Sequence, residues 1–317
     1  MHVAFFTNTY HPVVNGVVRS IHDFRYALTG HGHQVFVFAQ HVKNHEDKEP
    51  FIFRYPAVKW PTRQVYPLTI PLSPHVDWVL PSLKLDVIHS HHPVLNGNAA
   101  VHHARQLDLP LVFTHHTRYK MYSHYVPLSS KLVETAIDQW LDDYMSKCHH
   151  IVVPSESVKQ VLADEYGITS QITAVPTGLN PSLYEQPDGD ALRKRRGWGN
   201  DIVLISVGRL AKEKNQDTLL QAVAFVMKDH ANVRLILIGD GDERKPLQKL
   251  SKELGISDRV EFTGNIPHQE VIAHLKGADI FCFASVTETQ GLVTMEALAA
   301  GLPVVAVDAT GTGDVMD

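Results

Sequence analysis

Two glutamates in the second half of the sequence, Glu288 and Glu296, form the acidic pair whose spacing points most clearly to chemistry. If both lay on one helix, the eight-residue step between them would correspond to a rise of about 12 Å. An acid/base pair that acts on one glycosidic bond is separated by only about 5–9.5 Å. We therefore expect one carboxylate at each end of an extended ligand, where each accepts hydrogen bonds from hydroxyl groups.

A glycine lies between these glutamates. Gly291 follows a predicted buried strand and a polar loop, and the sequence Gly-Leu-Pro at 301–303 ends the helix that carries Glu296. Glycine lets backbone N–H groups approach a ligand at the start of a helix, where anions bind favourably. The pattern indicates a ligand that carries both hydroxyl groups and negative charge.

Two cations follow another predicted buried strand, residues 202–207. Arg209 and Lys214 are five residues apart, and we place both in one loop at the edge of a sheet. Fixed cations and helix N-termini can stabilise negative charge that develops on a departing phosphate without a metal ion. Ordinary solvated surface charges are the alternative interpretation.

Histidine is unusually frequent, with 21 residues. His89, His91, His92, His115 and His116 could in principle form a zinc site. No HExxH spacing and no neighbouring cysteine accompanies them, and successive residues on a strand point to opposite faces. We therefore expect no metal site.

Apolar segments of strand length alternate with segments of helix length along almost the whole chain. The predicted strands are continuous and rich in Val, Ile and Phe, which is typical of a parallel sheet buried on both faces: 3–6, 34–39, 86–89, 111–114, 150–154, 172–175, 202–207, 234–238, 260–263, 280–284 and 304–307. The predicted helices include 18–29, 128–147, 156–165, 217–229 and 245–254. The fold class is therefore α/β, with two doubly wound, Rossmann-like domains.

Proline and glycine interrupt this alternation at residues 178–200. We place the first domain at residues 1–185 and the second at 186–317. The carboxyl ends of both sets of strands are expected to face a central cleft, where a ligand would bind.

Composition and charge exclude several functional classes. The 317 residues suggest two domains, and 44% hydrophobic residues suffice for packed cores. The net charge of −5 argues against nucleic acid as a partner. The run Arg193-Lys194-Arg195-Arg196 could bind phosphate or lipid, but a solvated helix face is the simpler interpretation. The first residues lack the basic and long apolar segments of a signal peptide, so we expect a cytoplasmic protein.

The motifs together resemble a known family. The arrangement Glu288-x7-Glu296, continued by Glu-Ala-x-Ala-x-Gly-x-Pro-Val-Val-Ala, is similar to the signature of the family-four retaining glycosyltransferases of GT-B architecture. The similarity extends over the whole chain through the segments 10–20, 86–93, 113–117, 153–155, 175–178 and 207–215. It implies a hexosyltransferase that uses a nucleotide diphosphate sugar, UDP-glucose, as co-substrate and needs neither cofactor nor metal.

The resemblance also implies which residues bind the nucleotide and its phosphates. Arg209 and Lys214 would hold the donor diphosphate, and the backbone of Gly16 would face it. Glu296 would accept hydrogen bonds from the ribose hydroxyls. Ile266 would belong to the wall beside the nucleobase.

A further set of residues would surround the transferred sugar. Glu288 and the backbone around Gln290, Gly291 and Leu292 would hold it, and His116 lies where the family places a histidine beside it. The resemblance thus assigns catalytic roles to four residues: His116, Glu288, Arg209 and Lys214.

The acceptor would meet the first domain in this architecture. Tyr119, Tyr122 and Tyr125 lie beside basic residues and, with residues 287–291, resemble the branch that glycosylates diacylglycerol. Residues 50–85 add aromatic and basic side chains that suit an anionic lipid surface: Phe51, Phe53, Tyr55, Trp60, Tyr66 and Trp78 with Arg54, Lys59 and Arg63. A Pro-rich lid packed on its own domain is an equal alternative. A lipid acceptor would make the protein peripheral on the inner face of the membrane.

Other functions remain open at this point. They are glycosyl transfer to a non-lipid acceptor, epimerisation of a nucleotide sugar, and non-catalytic binding of one. An epimerase would lack the glutamate pair in this form. The second domain is also expected to be truncated, because members of the family continue into a terminal helix that returns to the first domain, and we therefore expect loose closure and low turnover.

Overall fold

The chain folds into two compact units, Met1–Gly178 and Leu179–Asp317. The computed structural model describes residues 1–58, 68–125 and 129–316, with the backbone alone described at Leu68, His124 and Tyr125. The boundary that we place after residue 185 therefore lies inside the second unit. The reason is local: Tyr184 is buried and its carbonyl accepts a hydrogen bond from Lys276 Nζ at 3.0 Å, so this segment packs with the second unit.

A parallel sheet forms the centre of the first unit. In chain order, the strands of this unit are β1 (His2–Phe6), β2 (Gln34–Gln40), β3 (Ile52–Tyr55), β4 (Ala57–Val58), β5 (Leu68–Thr69), β6 (Val87–Ser90), β7 (Leu111–Thr114), β8 (His150–Val153) and β9 (Ile172–Ala174). The sheet order is β3-β2-β1-β6-β7-β8-β9, and each neighbouring pair is parallel. The short strands β4 and β5 pair antiparallel outside this sheet.

The second unit is built around its own parallel sheet. Its strands are β10 (Ile202–Val207), β11 (Val233–Ile238), β12 (Val260–Gly264), β13 (Ile280–Phe283) and β14 (Val304–Ala306). Their order is β12-β11-β10-β13-β14, again all parallel. Every strand predicted from the sequence is present with its ends shifted by at most one residue, so the predicted α/β class is confirmed.

One strand of the first sheet, β3, is absent from the sequence prediction. Its short apolar run is broken by Arg54, which has partners on neighbouring segments. The guanidinium forms an ion pair with Asp47 and donates a hydrogen bond to the Gln40 carbonyl at 2.8 Å. Apolar periodicity does not predict this strand, because an edge strand that contains a charged residue lacks a continuous apolar pattern.

Helices cover the strands and connect them. They are α1 (Gly16–Gly30), α2 (Pro74–Val79), α3 (Asn96–Gln106), α4 (Ser130–Met145), α5 (Glu156–Tyr166), α6 (Gly189–Arg196), α7 (Gln216–Asp229), α8 (Arg244–Glu253), α9 (His268–Gly277), α10 (Leu292–Ala299) and α11 (Gly313–Met316). Within the described parts of the chain, none of these helices combines the length and apolar character needed to cross a bilayer.

The basic run at 193–196 lies on α6 and is partly occupied by its own unit. Arg193 donates to the Gly277 carbonyl at 2.9 Å and forms an ion pair with Asp279 at 3.0 Å. Arg196 pairs with Glu261 at 2.6 Å. These contacts favour a structural role for half of the run.

The strand order of each sheet fixes where a ligand is expected. In open parallel sheets, ligands bind beyond the carboxyl ends of the strands at the point where the strand order reverses. That switch point lies between β1 and β6 in the first sheet and between β10 and β13 in the second. The loops that follow these strands and β7, together with the first residue of α1, carry most of the residues singled out above: Gly16, His116, Arg209, Lys214, Glu288, Gln290 and Gly291.

Candidate active site

The loop after β10 holds both predicted cations, Arg209 near its start and Lys214 at the end of a short 3₁₀ turn, Lys212–Lys214. Arg209 forms an ion pair with Glu213, whose side chain is only 1% exposed, and Gln216 Nε2 donates to the Arg209 carbonyl at 3.0 Å. A buried carboxylate is costly unless it is paired. Glu213 therefore holds the guanidinium of Arg209 at the edge of the sheet, where 39% of the Arg209 side chain is exposed.

An ion pair joins this loop to the loop after the neighbouring strand. Lys214 Nζ lies 2.5 Å from Glu288 Oε1, and both side chains are mostly buried. Asn215 Nδ2 adds a hydrogen bond to the Ala284 carbonyl at 3.3 Å. Because β10 and β13 are adjacent and parallel, the two predicted site residues meet directly over the switch point.

The loop between β13 and α10 positions backbone groups as well as Glu288. Gly291 has φ of 72° and caps α10, which begins at Leu292. Gln290 is buried, and its Nε2 lies 3.2 Å from Met295 Sδ. A Cβ at Gly311 would lie 2.4 Å from the Thr289 carbonyl carbon, so only glycine permits this close approach of two loops.

The other glutamate of the pair lies inside α10. Glu296 Oε1 is 2.9 Å from His268 Nε2, the first residue of α9, and the Glu296 side chain is 11% exposed. The predicted nucleobase residue Ile266 is half-buried in the loop just before α9. His268 could not be found from the sequence, because no motif or spacing links it to Glu296.

In the first unit, Gly16 begins α1 directly after the loop that follows β1. Asn15 caps this helix by accepting a hydrogen bond from the Val18 N–H at 2.8 Å, and Gly16 itself is exposed. No acidic side chain lies in the first turn. A helix N-terminus of this kind is suited to anions, and the diphosphate contact of Gly16 that the resemblance implies stays a prediction.

The histidines cluster at the same edge of the first sheet. His91 Nδ1 lies 2.9 Å from His116 Nε2, and His89 stacks on His91 with ring centroids 4.3 Å apart. Burial lowers the pKa of His91 and His116 well below the usual range and that of His89 to about 3. These rings are therefore neutral at physiological pH. Over residues 1–58, 68–125 and 129–316, no group of three or more His, Cys, Asp or Glu side chains is arranged to hold a metal ion.

A second polar network braces the loop after β1. His92 Nδ1 accepts a hydrogen bond from the Asn8 N–H at 3.2 Å, and Asn8 Oδ1 accepts one from the Asn96 N–H at 3.0 Å. Asn96 Nδ2 donates to the Thr7 carbonyl at 2.6 Å. Sequence reasoning missed Asn8 and Asn96, since isolated amides carry no spacing signal.

The three candidate acceptor tyrosines lie on the 3₁₀ helix Tyr119–Tyr125. Tyr119 is half-buried and packs edge-to-face with Trp140, with 5.7 Å between the ring centroids. Burial raises the pKa of Tyr119. Tyr122 is half-buried as well, and the side chain of Tyr125 lies outside the described residues. Contacts of these tyrosines with an acceptor therefore stay a prediction.

The aromatic and basic segment at 50–85 divides into core and surface. Tyr55 is 0% exposed, so it belongs to the core and is not available to a lipid surface. Phe53 is half-buried, and its ring stacks on Phe38 with 5.0 Å between the centroids. Trp78 is 79% exposed, and Leu72, six residues earlier in the chain, is 73% exposed. Four residues of the predicted interface lie outside the described residues: Lys59, Trp60, Arg63 and Tyr66.

Two models of known protein families match this chain. The Glycosyltransferase Family 4 model matches residues 14–183, and the model described as Glycosyl transferases group 1 matches residues 188–317. Two relatives are the alpha-monoglucosyldiacylglycerol synthases of Streptococcus pneumoniae and Acholeplasma laidlawii, with 31% and 32% sequence identity. Each alignment covers 96% of this chain, and it covers 71% and 80% of the two relatives, respectively.

The fold has solved counterparts. The structure of Anabaena HepE in complex with UDP and glucose aligns with 99% of this chain and 82% of its own, with a TM-score of 0.75 and 19% identity. This likeness confirms the GT-B architecture predicted from the motifs, and the matched models confirm the predicted family. The chain therefore belongs to glycosyltransferase family 4 and is a glycosyltransferase with the GT-B fold.

Proposed function

We propose that the chain transfers glucose from UDP-glucose to a hydroxyl group of diacylglycerol, with retention of the anomeric configuration. The observation that carries this proposal is the placement of Arg209, Lys214 and Glu288 in the loops after β10 and β13, on the two sides of the switch point of the second sheet. Paired cations and carboxylates at this point suit a ligand that has both a diphosphate and sugar hydroxyls.

The reaction replaces one C–O bond by another. The bond between C1 of glucose and the β-phosphate oxygen breaks, and C1 bonds to the acceptor oxygen on the same face. The acceptor proton passes to the departing phosphate, so that UDP leaves. Arg209 and Lys214 stabilise the charge that develops on this phosphate, and fixed cations need no reorganisation to do so.

The ion pair between Lys214 and Glu288 must open when the donor binds, so the contacts with the donor form in a defined order. The diphosphate competes with the Glu288 carboxylate for Lys214 Nζ. Once Lys214 turns to phosphate, Glu288 becomes available to the hydroxyls of the transferred sugar. The two residues would thus change partners together when the donor binds.

Further residues complete the donor site in this proposal. Glu296, oriented by His268 at 2.9 Å, accepts hydrogen bonds from the ribose hydroxyls, and Ile266 contacts the nucleobase. The N–H groups at Gly291 and Leu292 begin α10 and face the sugar and its phosphate, together with Gln290.

We also propose donor contacts for two residues of the first unit, Gly16 and His116. The exposed start of α1 at Gly16 presents its backbone to the diphosphate. His116 contacts the transferred sugar. Neither a cofactor nor a metal ion is required, because Arg209 and Lys214 supply the positive charge.

A lipid acceptor is supported by the relatives and by two exposed side chains. Two relatives at 31% and 32% identity carry the name alpha-monoglucosyldiacylglycerol synthase. Trp78 and Leu72 expose large apolar side chains on the first unit, which would suit peripheral attachment to the inner face of a membrane. Tyr119, Tyr122 and Tyr125 are the proposed acceptor contacts.

The test is an assay of labelled donors with diacylglycerol in mixed lipid vesicles. UDP-glucose is expected to give a glycolipid whose anomeric proton has the α configuration, like that of the donor, in the NMR spectrum. GDP-mannose and UDP-N-acetylglucosamine serve as competing donors. Transfer only to water or to a soluble acceptor, or a β-linked product, would contradict the proposal.

A further inference from the structure

A buried histidine, His91, contacts a side chain to which the proposed function assigns a role. His91 Nδ1 lies 2.9 Å from His116 Nε2, and the two rings are nearly parallel, with centroids 5.2 Å apart. His91 is 0% exposed, whereas His116 is half-buried. The contact therefore holds the His116 ring from its buried side.

The surroundings of His91 leave its ring little freedom. His89 stacks on one side at 4.3 Å between centroids, and Phe5 contacts it edge-on at 4.7 Å. Phe5 is fully buried, and His89 Nε2 lies 2.6 Å from Thr114 Oγ1. A ring fixed in this way by packing and hydrogen bonds can in turn fix its neighbour.

The contact also selects a tautomer. Burial keeps both rings neutral, so His91 and His116 share one hydrogen. Among the described residues, Nε2 of His91 has no hydrogen-bond partner. If His116 donated, His91 would carry its hydrogen on this buried Nε2, and buried N–H groups without an acceptor are rare. We therefore assign the shared hydrogen to His91 Nδ1, which puts the hydrogen of His116 on its Nδ1.

We propose that His91 is a positioning residue for glycosyl transfer: it fixes the His116 ring and the tautomer in which His116 Nδ1 donates a hydrogen bond to an oxygen of the transferred sugar. This inference rests on the proposed function, in which His116 contacts that sugar. His91 does not touch the substrate itself and acts through His116.

Two substitutions at this position separate positioning from folding. In His91→Asn, the side-chain amide nitrogen takes the place of Nδ1 and keeps the donor, whereas His91→Leu keeps volume and removes it. The matched control is His103→Leu. His103 is 4% exposed on α3, and its Nε2 lies 3.3 Å from Tyr55 Oη.

We expect His91→Leu to lower kcat about fivefold, the factor that corresponds to a neutral hydrogen bond of about 1 kcal/mol, with the KM for the donor unchanged. His91→Asn should recover kcat to within about twofold. His103→Leu should lower the melting temperature without changing kcat. If His91→Asn were as slow as His91→Leu, or if His91→Leu kept the wild-type kcat, the proposal would be wrong.

The ¹⁵N spectrum of the histidine rings gives a readout that needs no activity. The wild type should show His116 protonated at Nδ1, and His91→Leu should shift the resonances of the His116 ring. A His116 protonated at Nε2 in the wild type, or unaffected by His91→Leu, would overturn the assignment. Should the wild type transfer no sugar, the proposed function would fail while this spectrum still decided the His91–His116 contact.

Discussion

The carboxyl edges of the two sheets carry different kinds of polar groups. At the second sheet, charges are paired across loops, Lys214 with Glu288 and Arg209 with Glu213. Beside the switch point of the first sheet, neutral rings and amides bond to one another, and burial keeps histidines such as His91 uncharged, whereas the ion pair of Arg54 with Asp47 belongs to the edge strand β3. The difference indicates a division of labour. Ion pairs can exchange partners with a diphosphate, whereas neutral groups can orient hydroxyls without attracting charge.

The largest effect should come from Lys214→Ala. It removes a cation from the diphosphate and leaves the mostly buried Glu288 carboxylate without its lysine. We expect kcat/KM for the donor to fall roughly 10- to 150-fold, since a hydrogen bond to a charged group contributes about 1.5–3 kcal/mol. Steady-state kinetics with varied UDP-glucose provides the measurement.

Lys212→Ala is the matched control for this substitution. Lys212 lies on the same 3₁₀ turn but is exposed to solvent. Its loss should leave kcat/KM within about twofold of the wild type, because exposed charges contribute little. Equal effects of the two substitutions would remove the special role of Lys214 and weaken the contrast between the two edges.

The two glutamates should respond differently to replacement by glutamine. Glu288→Gln should lower kcat about tenfold, because its partner is the reacting sugar and its charge also holds Lys214. Glu296→Gln should mainly raise the donor KM, since ribose contacts are similar in the ground and transition states. Identical kinetic patterns in the two variants would contradict this division.

The first unit should lose stability at a higher pH than the second. In the first unit, burial lowers the pKa of His92 and His115 to about 4 and that of His89 to about 3. The unfolded chain binds protons near pH 6.5 while the folded unit does not, so stability is lost as pH falls from about 6.5 towards 4. Among the described histidines of the second unit, burial lowers the pKa of His274.

Hydrogen exchange of the whole chain, resolved by peptide, would measure this difference. We expect the first unit to lose protection at a pH roughly one unit higher than the second, because it contains several neutral buried histidines. Loss of protection in both units at one pH, or first in the second unit, would show that the neutral cluster does not set acid stability.

The smallest effect should follow from chelation. Arg209 and Lys214 supply the positive charge for the leaving phosphate in the proposed mechanism, so EDTA should change the rate by less than about twofold. If EDTA abolished the activity and Mg²⁺ or Mn²⁺ restored it, a metal ion would supply the positive charge that this mechanism assigns to Arg209 and Lys214.

The sequence was sufficient for the fold because the strands are continuous apolar runs. Residues 202–207 and 111–114, for example, are strands with the predicted bounds. The loop positions of Arg209, Lys214 and Glu288 followed, since parallel strands bring their carboxyl ends to one edge. By contrast, β3 contains Arg54, and an edge strand with a charged residue carries no apolar signal.

Contacts between residues that are far apart in the chain could not be predicted from the sequence. Nothing in the spacing links Lys214 to Glu288, 74 residues away, or His91 to His116, 25 residues away. Such pairs depend on which strands are neighbours and on side-chain rotamers. The burial of Tyr55, the last residue of β3, was also missed, because an aromatic residue in a segment without apolar periodicity suits a core and a surface equally.

A structure of the protein with UDP-glucose bound would test the central claim most directly, because it locates the diphosphate. The account predicts phosphate oxygens within hydrogen-bond distance of Arg209 and of Lys214 Nζ, with Lys214 no longer 2.5 Å from Glu288 and the Glu288 carboxylate turned to the sugar. A diphosphate bound away from these cations, with the Lys214–Glu288 pair unchanged, would contradict it.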